Sequence, residues 1–198
     1  MARTVTATEP PGECESLTGC CLMVAQLETP TVNSHERVYT VKGLVQLFTY
    51  PHRNFFTGVM AQALRSASQG TPVLVVQFLK GGINQGHERP VRLGEHLEWI
   101  RCNLARCIDT PHLDEVEADS LRSLWQYTQK VVSDGQYSLV VLDELSLAIH
   151  FGLIPENEVV AFIEQRPPEV DLILTGPEMP RSLLDLADQV TEVRRSEC

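Results

Sequence analysis

Three short apolar runs restrict what this chain can fold into more than any other feature. They are "TPVLVVQFLKGG" (71–82), "YSLVVLDEL" (137–145) and "VDLILTG" (170–176). Each is apolar at consecutive rather than alternating positions, which suits a strand buried on both faces of a parallel sheet. Helix-like stretches separate them. "FTGVMAQALRSASQG" reads as a helix closed by Gly70. Residues 113–132 place Leu113, Val116, Leu121, Leu124, Thr128 and Val131 near one helical face, and the acids at the start suit the positive end of the helix dipole. "PENEVVAFIEQRP" is a helix bounded by prolines, and "PRSLLDLADQVTEVR" a helix with a short strand at its end. "RVYTVKGLVQLFT" (37–49) and "EHLEWIRC" (95–102) read as further strands. Strands that alternate with helices in this way indicate an α/β sandwich with a mainly parallel sheet.

In such sheets ligands bind beyond the carboxyl ends of the strands. Here those ends are Thr49 to Phe56, Lys80 to Gly82, Asp143 to Glu144, and Thr175 to Pro177. "LVVLDE" is an apolar strand ending in two acids, the form of a Walker B element. Such acids can hold Mg²⁺ or position a nucleophile, or an acid there can simply cap the following helix. "QFLKGG" sets Gln77 and Lys80 at the same edge, and a lysine there can meet a phosphate or carboxylate. "LTG" ends the last core strand in a tight turn at Thr175. "LVQLFTYPHRNFFTGVMAQALR" (44–65) has the strand–loop–helix layout of a phosphate loop, yet no glycine stands between Gly43 and Gly58.

Length and charge bound the rest. A chain of 198 residues suits one domain with a tail. Residues 1–36, rich in Glu, Pro, Thr and Ser, read as a flexible acidic tail, and residues 37–198 as the folded domain. The short run "CCLMVAQL" in the tail could dock on the body or a partner. The net charge of -10 argues against nucleic acid or an anionic membrane as partner. No apolar run is long enough for membrane insertion, and the N-terminus lacks the apolar stretch of a secretory signal. The expected location is the cytoplasm. The cysteines form no paired C-x-x-C knuckles, and Cys107 with His112 is not expected to make a zinc site.

The order and spacing of "VVQFLKG", "VVLDELSLA", "LIPENEVVAFIEQRPPEVDLILTG" and "LLDLADQVTEVR" carry a resemblance. From about Lys42 to Arg194 the chain resembles the P-loop-type corrinoid adenosyltransferases, which act on cob(I)alamin or cob(I)yrinic acid a,c-diamide. The resemblance implies a P-loop NTPase-like, RecA-like three-layer sandwich. It also implies transfer of the 5′-deoxyadenosyl group of ATP, bound with Mg²⁺, to a Co(I) corrinoid. Family enzymes are commonly dimers, so a homodimer is one assembly it implies.

The departures from the family are concentrated at the phosphate loop, which in the family reads roughly TGNGKGKTT. Thr49 and Thr57 match its ends. The family glycines fall at Tyr50, His52 and Asn54, the phosphate lysine at Phe55 and the metal-binding threonine at Phe56. Bulky residues do not readily adopt glycine conformations, and Pro51 offers no N–H. Arg53 and His52 could still meet an anion, in a different geometry. At least one of the two rings, Phe55 or Phe56, is expected to plug the vacated phosphate pocket as extra core; the alternative is that they form an exposed contact patch. The family turn TGR is "TGP" here, with Pro177 in the arginine's place. No TGFTWE-like segment is found within Cys102 to Asp119, while Glu88 and Arg89 keep a G-E-R-like element. The resulting expectation is a non-catalytic homologue, with no catalytic residue, metal or cofactor, that acts through a protein partner or by sensing a ligand. The alternative is a corrinoid adenosyltransferase of cobalamin biosynthesis with a reworked ATP site. It would use ATP, Mg²⁺ and a corrinoid, with Asp143 and Glu144 at the metal and Lys80 and Arg53 as accessory cations.

Overall fold

The computed structural model describes residues 42–83 and 85–194. The tail at 1–36 and the part of the first strand expectation covering 37–41 lie outside the described residues. The elements in chain order are β1 (Val45–Tyr50), α1 (Thr57–Ser68), β2 (Val73–Gln77), β3 (Val91–Leu93), β4 (Leu97–Arg101), α2 (Glu115–Ser133), β5 (Leu139–Asp143), α3 (Leu145–His150), α4 (Glu156–Gln165), β6 (Asp171–Pro177), α5 (Arg181–Leu186) and β7 (Gln189–Glu192). The strands form one sheet in the order β3-β4-β2-β5-β6-β1-β7. Every pairing is parallel except β3 with β4. The fold is therefore α/β with a mostly parallel sheet, as the apolar runs imply.

Period-two alternation distributes the central strands between two cores. Val73, Val75, Leu139, Val141 and Ile173 face α1, where Val59, Met60, Ala63 and Ala67 meet them. Leu74, Val76, Val140, Leu142, Leu172 and Leu174 face the other way, against α2, α4 and their neighbours. The same alternation carries Gln77, Asp143 and Thr175 to the α1 side at the strand ends. Register completes the placement. Gln77 pairs with Asp143 and Thr49 with Gly176.

α1 ends where Gly70 takes a φ of 91°, which glycine adopts without a Cβ clash. α2 begins with a capping box. Asp114 accepts from the Glu117 amide at 2.8 Å, and Glu117 accepts from the Asp114 amide at 3.2 Å. One expectation for α2 is corrected. Val116 is 75% exposed, not part of the core face. At 3.6 residues per turn it sits about 140° around the helix from Leu121. Trp125 completes that face instead, edge-on to Phe78 and Phe162, with its indole N–H donated to Glu158 at 3.1 Å. No described helix is long and apolar enough to cross a membrane.

Candidate functional site

The strand ends on the α1 side converge on Asp143. This carboxylate is fully buried and its acceptor capacity is heavily used. Oδ1 accepts from the Thr175 hydroxyl at 2.7 Å. Oδ2 accepts from the Gln77 amide at 2.6 Å and the Lys80 ammonium at 2.7 Å. The Thr175 oxygen in turn accepts the Glu144 amide at 3.1 Å. Three of the four strand ends named from the sequence thus meet at one carboxylate.

The capping expectation for these acids is corrected. Glu144 occupies the N-cap position of α3 in a left-handed conformation, φ 62°, and makes no side-chain cap bond. An ordinary N-cap has extended backbone that turns its oxygen onto the first helical amides. Here the left-handed residue directs the carboxylate to Arg53 instead. Arg53 Nε donates to Oε1 at 2.6 Å and Nη2 to Oε2 at 2.8 Å, a bidentate fork. Its Nη1 donates to the carbonyl of Ile108 at 2.7 Å. The hydrogen bond that Arg53 donates to Glu144 raises the Arg53 pKa against the opposing effect of burial. The Glu144 side chain is only 3% exposed and that of Arg53 32%, so the pair is shielded from solvent on the carboxylate side and open to it on the guanidinium side.

The loop that supplies Arg53 is braced from within. Phe56 is buried beside Val59 and Met60, with its ring 6.3 Å from that of Phe48, edge to face. Phe55 stays 44% exposed, and the Lys80 ammonium lies 4.6 Å from its centroid. So one of the two rings is core and the other is surface. Asn54 accepts the Phe55 amide at 2.9 Å. Tyr50 and His52 rings lie 6.3 Å apart, and Pro51 and His52 are exposed. Thr57 opens α1, and the Thr49 carbonyl accepts from Val193 at 3.0 Å. After β6, the Pro177 carbonyl accepts the Ser146 hydroxyl at 2.5 Å. A side chain at Gly176, whose φ is 142°, would run into that same serine.

Magnesium bound to a nucleotide needs free carboxylate or hydroxyl oxygens and donors for the phosphates. The arrangement does not fit that group. Guanidinium and ammonium already sit on the carboxylates of Glu144 and Asp143, and phenyl rings occupy the start of α1. Among the described residues no group of three His, Cys, Asp or Glu side chains is placed to hold a metal. Cys102 is buried, which pushes its thiol up to about 11, and Cys107 is exposed.

Glu88 and Arg89 are not part of this cluster. They line a separate cleft of about 380 Å³ with Arg101, Asn103 and Ser120. Sequence reasoning missed the Arg53–Glu144 fork and the Ile108 carbonyl that completes it. The fork joins residues 91 apart, where no periodicity applies. Its one visible signal is a lone arginine in the loop opposite two strand-end acids.

A mostly parallel sheet with a strand–loop–helix unit facing a strand-end acid pair defines a P-loop NTPase-like α/β protein. Comparison with known proteins agrees and narrows the class. The family model described as ATP:corrinoid adenosyltransferase BtuR/CobO/CobP matches residues 41–197, and the chain belongs to that family. It is 31% identical over 153 residues to the corrinoid adenosyltransferase of Escherichia coli (strain K12), covering 77% of each chain. It is 30% identical over 153 residues to corrinoid adenosyltransferase CobA of Salmonella typhimurium (strain LT2), again covering 77% of each. The corrinoid adenosyltransferase of Pseudomonas aeruginosa is 30% identical over 146 residues, covering 69% of this chain and 66% of that protein.

Proposed function

We propose that this protein is a non-catalytic member of the corrinoid adenosyltransferase family, a pseudoenzyme that works through contact with a protein partner or by sensing a ligand. The observation that carries the reading is the bidentate Arg53–Glu144 fork beside the Lys80–Asp143 pair. Internal cations neutralise both acids that a metal would need. Binding Mg²⁺ there requires displacing the Arg53 guanidinium from a carboxylate whose side chain is 3% exposed. The buried ring of Phe56 adds a second obstacle at the N-terminus of α1. Phe55, exposed next to Lys80, is a contact residue available to a partner.

Calorimetry of the 198-residue chain with ATP and Mg²⁺ tests the reading, and no saturable heat is expected. Micromolar binding would overturn it. A second reading, an adenosyltransferase with a reworked ATP site, draws on one observation: Lys80 and the Thr175 hydroxyl remain at Asp143, where a cation and a hydroxyl could serve a phosphate. Under that reading ATP, Mg²⁺ and a corrinoid are the cofactors and substrate. Corrinoid adenosylation that disappears in Asp143→Ala would establish it.

A further inference from the structure

Away from the Asp143 cluster, the cleft that holds Glu88 and Arg89 combines features that nothing in the proposed function uses. It measures about 380 Å³ and lies between the loop after β2, the end of β4, and α2. Arg89 and Arg101 both line it. Most described arginines donate to a carboxylate or carbonyl, as Arg53, Arg92, Arg106 and Arg166 do. The side chains of Arg89 and Arg101 donate to neither among the described residues; only their backbone amides do, to the carbonyls of Gly86 and Gln85. Arg101 Nε is moreover buried without an acceptor, and its guanidinium lies 5.5 Å from the Trp99 ring centroid. In a chain of net charge -10, two arginines in one cleft that make no ion pair among the described residues, not even with Glu88 beside them, leave positive charge that a bound anion would balance.

The rest of the lining suits an oxyanion. Asn103, Ser120 and Ser123 offer an amide and two hydroxyls. His87 is held there by its ring against Tyr127, at 4.9 Å and 31°. The volume lies at the small end of ligand cavities. Guanidinium forks match phosphate and carboxylate oxygens two at a time. We propose that this cleft is a binding site for a small oxyanion, a phosphate or a carboxylate, held between Arg89 and Arg101. Glu88 lines the same cleft and opposes the anion, so it tunes the affinity downward.

The test uses the full chain labelled with nitrogen-15 and follows the arginine Nε–H resonances during titration with orthophosphate, and separately with succinate. Saturable shifts of Arg89 and Arg101 are expected with at least one of the two. Which one responds identifies the source of the oxyanion. Arg89→Gln, at an exposed position that leaves the fold intact, is expected to weaken binding at least tenfold. Glu88→Gln is expected to strengthen it. Absence of saturable shifts with both anions would overturn the proposal, as would equal affinity in the parent protein and the two variants. Arg101→Gln, if it folds, should lose the response altogether.

Discussion

Arg53 and Glu144 lie 91 residues apart and meet through two parallel hydrogen bonds of 2.6 and 2.8 Å. The pair ties the loop after β1 to the end of β5, across the intervening strand β6. Its energetics are lopsided. A buried ion pair is of modest net worth, but a carboxylate that loses its partner while 3% exposed is costly.

Arg53→Met should accordingly destabilise the protein by about 2–4 kcal/mol, since Glu144 is left without its cation. Combining it with Glu144→Gln should recover more than half of that loss. Urea unfolding of both singles and the double completes a cycle. Additive losses would show that the fork contributes no coupling.

The two neighbouring rings should respond differently to truncation. Phe56→Ala removes a buried ring from the core beside α1 and should cost about 3–5 kcal/mol. Phe55→Ala should cost less than about 1 kcal/mol, because its ring is 44% exposed. Thermal or urea unfolding of the pair of variants checks the contrast, and equal losses would contradict the placement of the rings.

Burial raises the Cys102 thiol from 9.0 to about 11. The unfolded chain therefore releases this proton at a lower pH than the folded one. Between those two values the folded state binds more protons, so stability falls as pH rises. The loss from this group is roughly 2–3 kcal/mol across the window. Cys102→Ala should have a shallower decline above pH 9 than the parent. Stability measured against pH in both proteins tests it, and parallel curves would refute the assignment.

Replacing Tyr50–Phe56 with the family-like GNGKGKT removes the Arg53 fork and both rings in one step. Weak ATP–Mg²⁺ binding should appear, measurable by calorimetry. Adenosylation should stay poor, because Pro177 and the segment from Cys102 to Asp119 still depart from the family. Misplacing reacting atoms by about 1 Å can cost roughly a hundredfold in rate. A folded graft that binds no nucleotide would show that the loop is not the principal block.

Much of the sheet could be read in advance because consecutive apolar residues admit few alternatives. Val73 to Gln77, Leu139 to Asp143 and Leu172 to Pro177 are buried throughout. The convergence of Gln77, Lys80, Asp143 and Thr175 also followed, since parallel strands end at a common edge. Val116 misled because an apolar residue at the first turn of a helix is placed by the cap as much as by the period. The fork was hidden for a different reason. Its geometry depends on a left-handed Glu144, a conformation that local propensity disfavours and only the surrounding structure can impose. Short β3, the antiparallel edge strand with all three residues exposed, carries no burial pattern to detect.

The same fork bears on how such a protein can change over generations. Losing Arg53 alone strands a buried carboxylate, while regaining loop glycines alone leaves Glu144 clamped. On the proposed non-catalytic reading, the ion pair acts as a ratchet: the steps from it to a metal site pass through a less stable intermediate, which favours new uses of the scaffold.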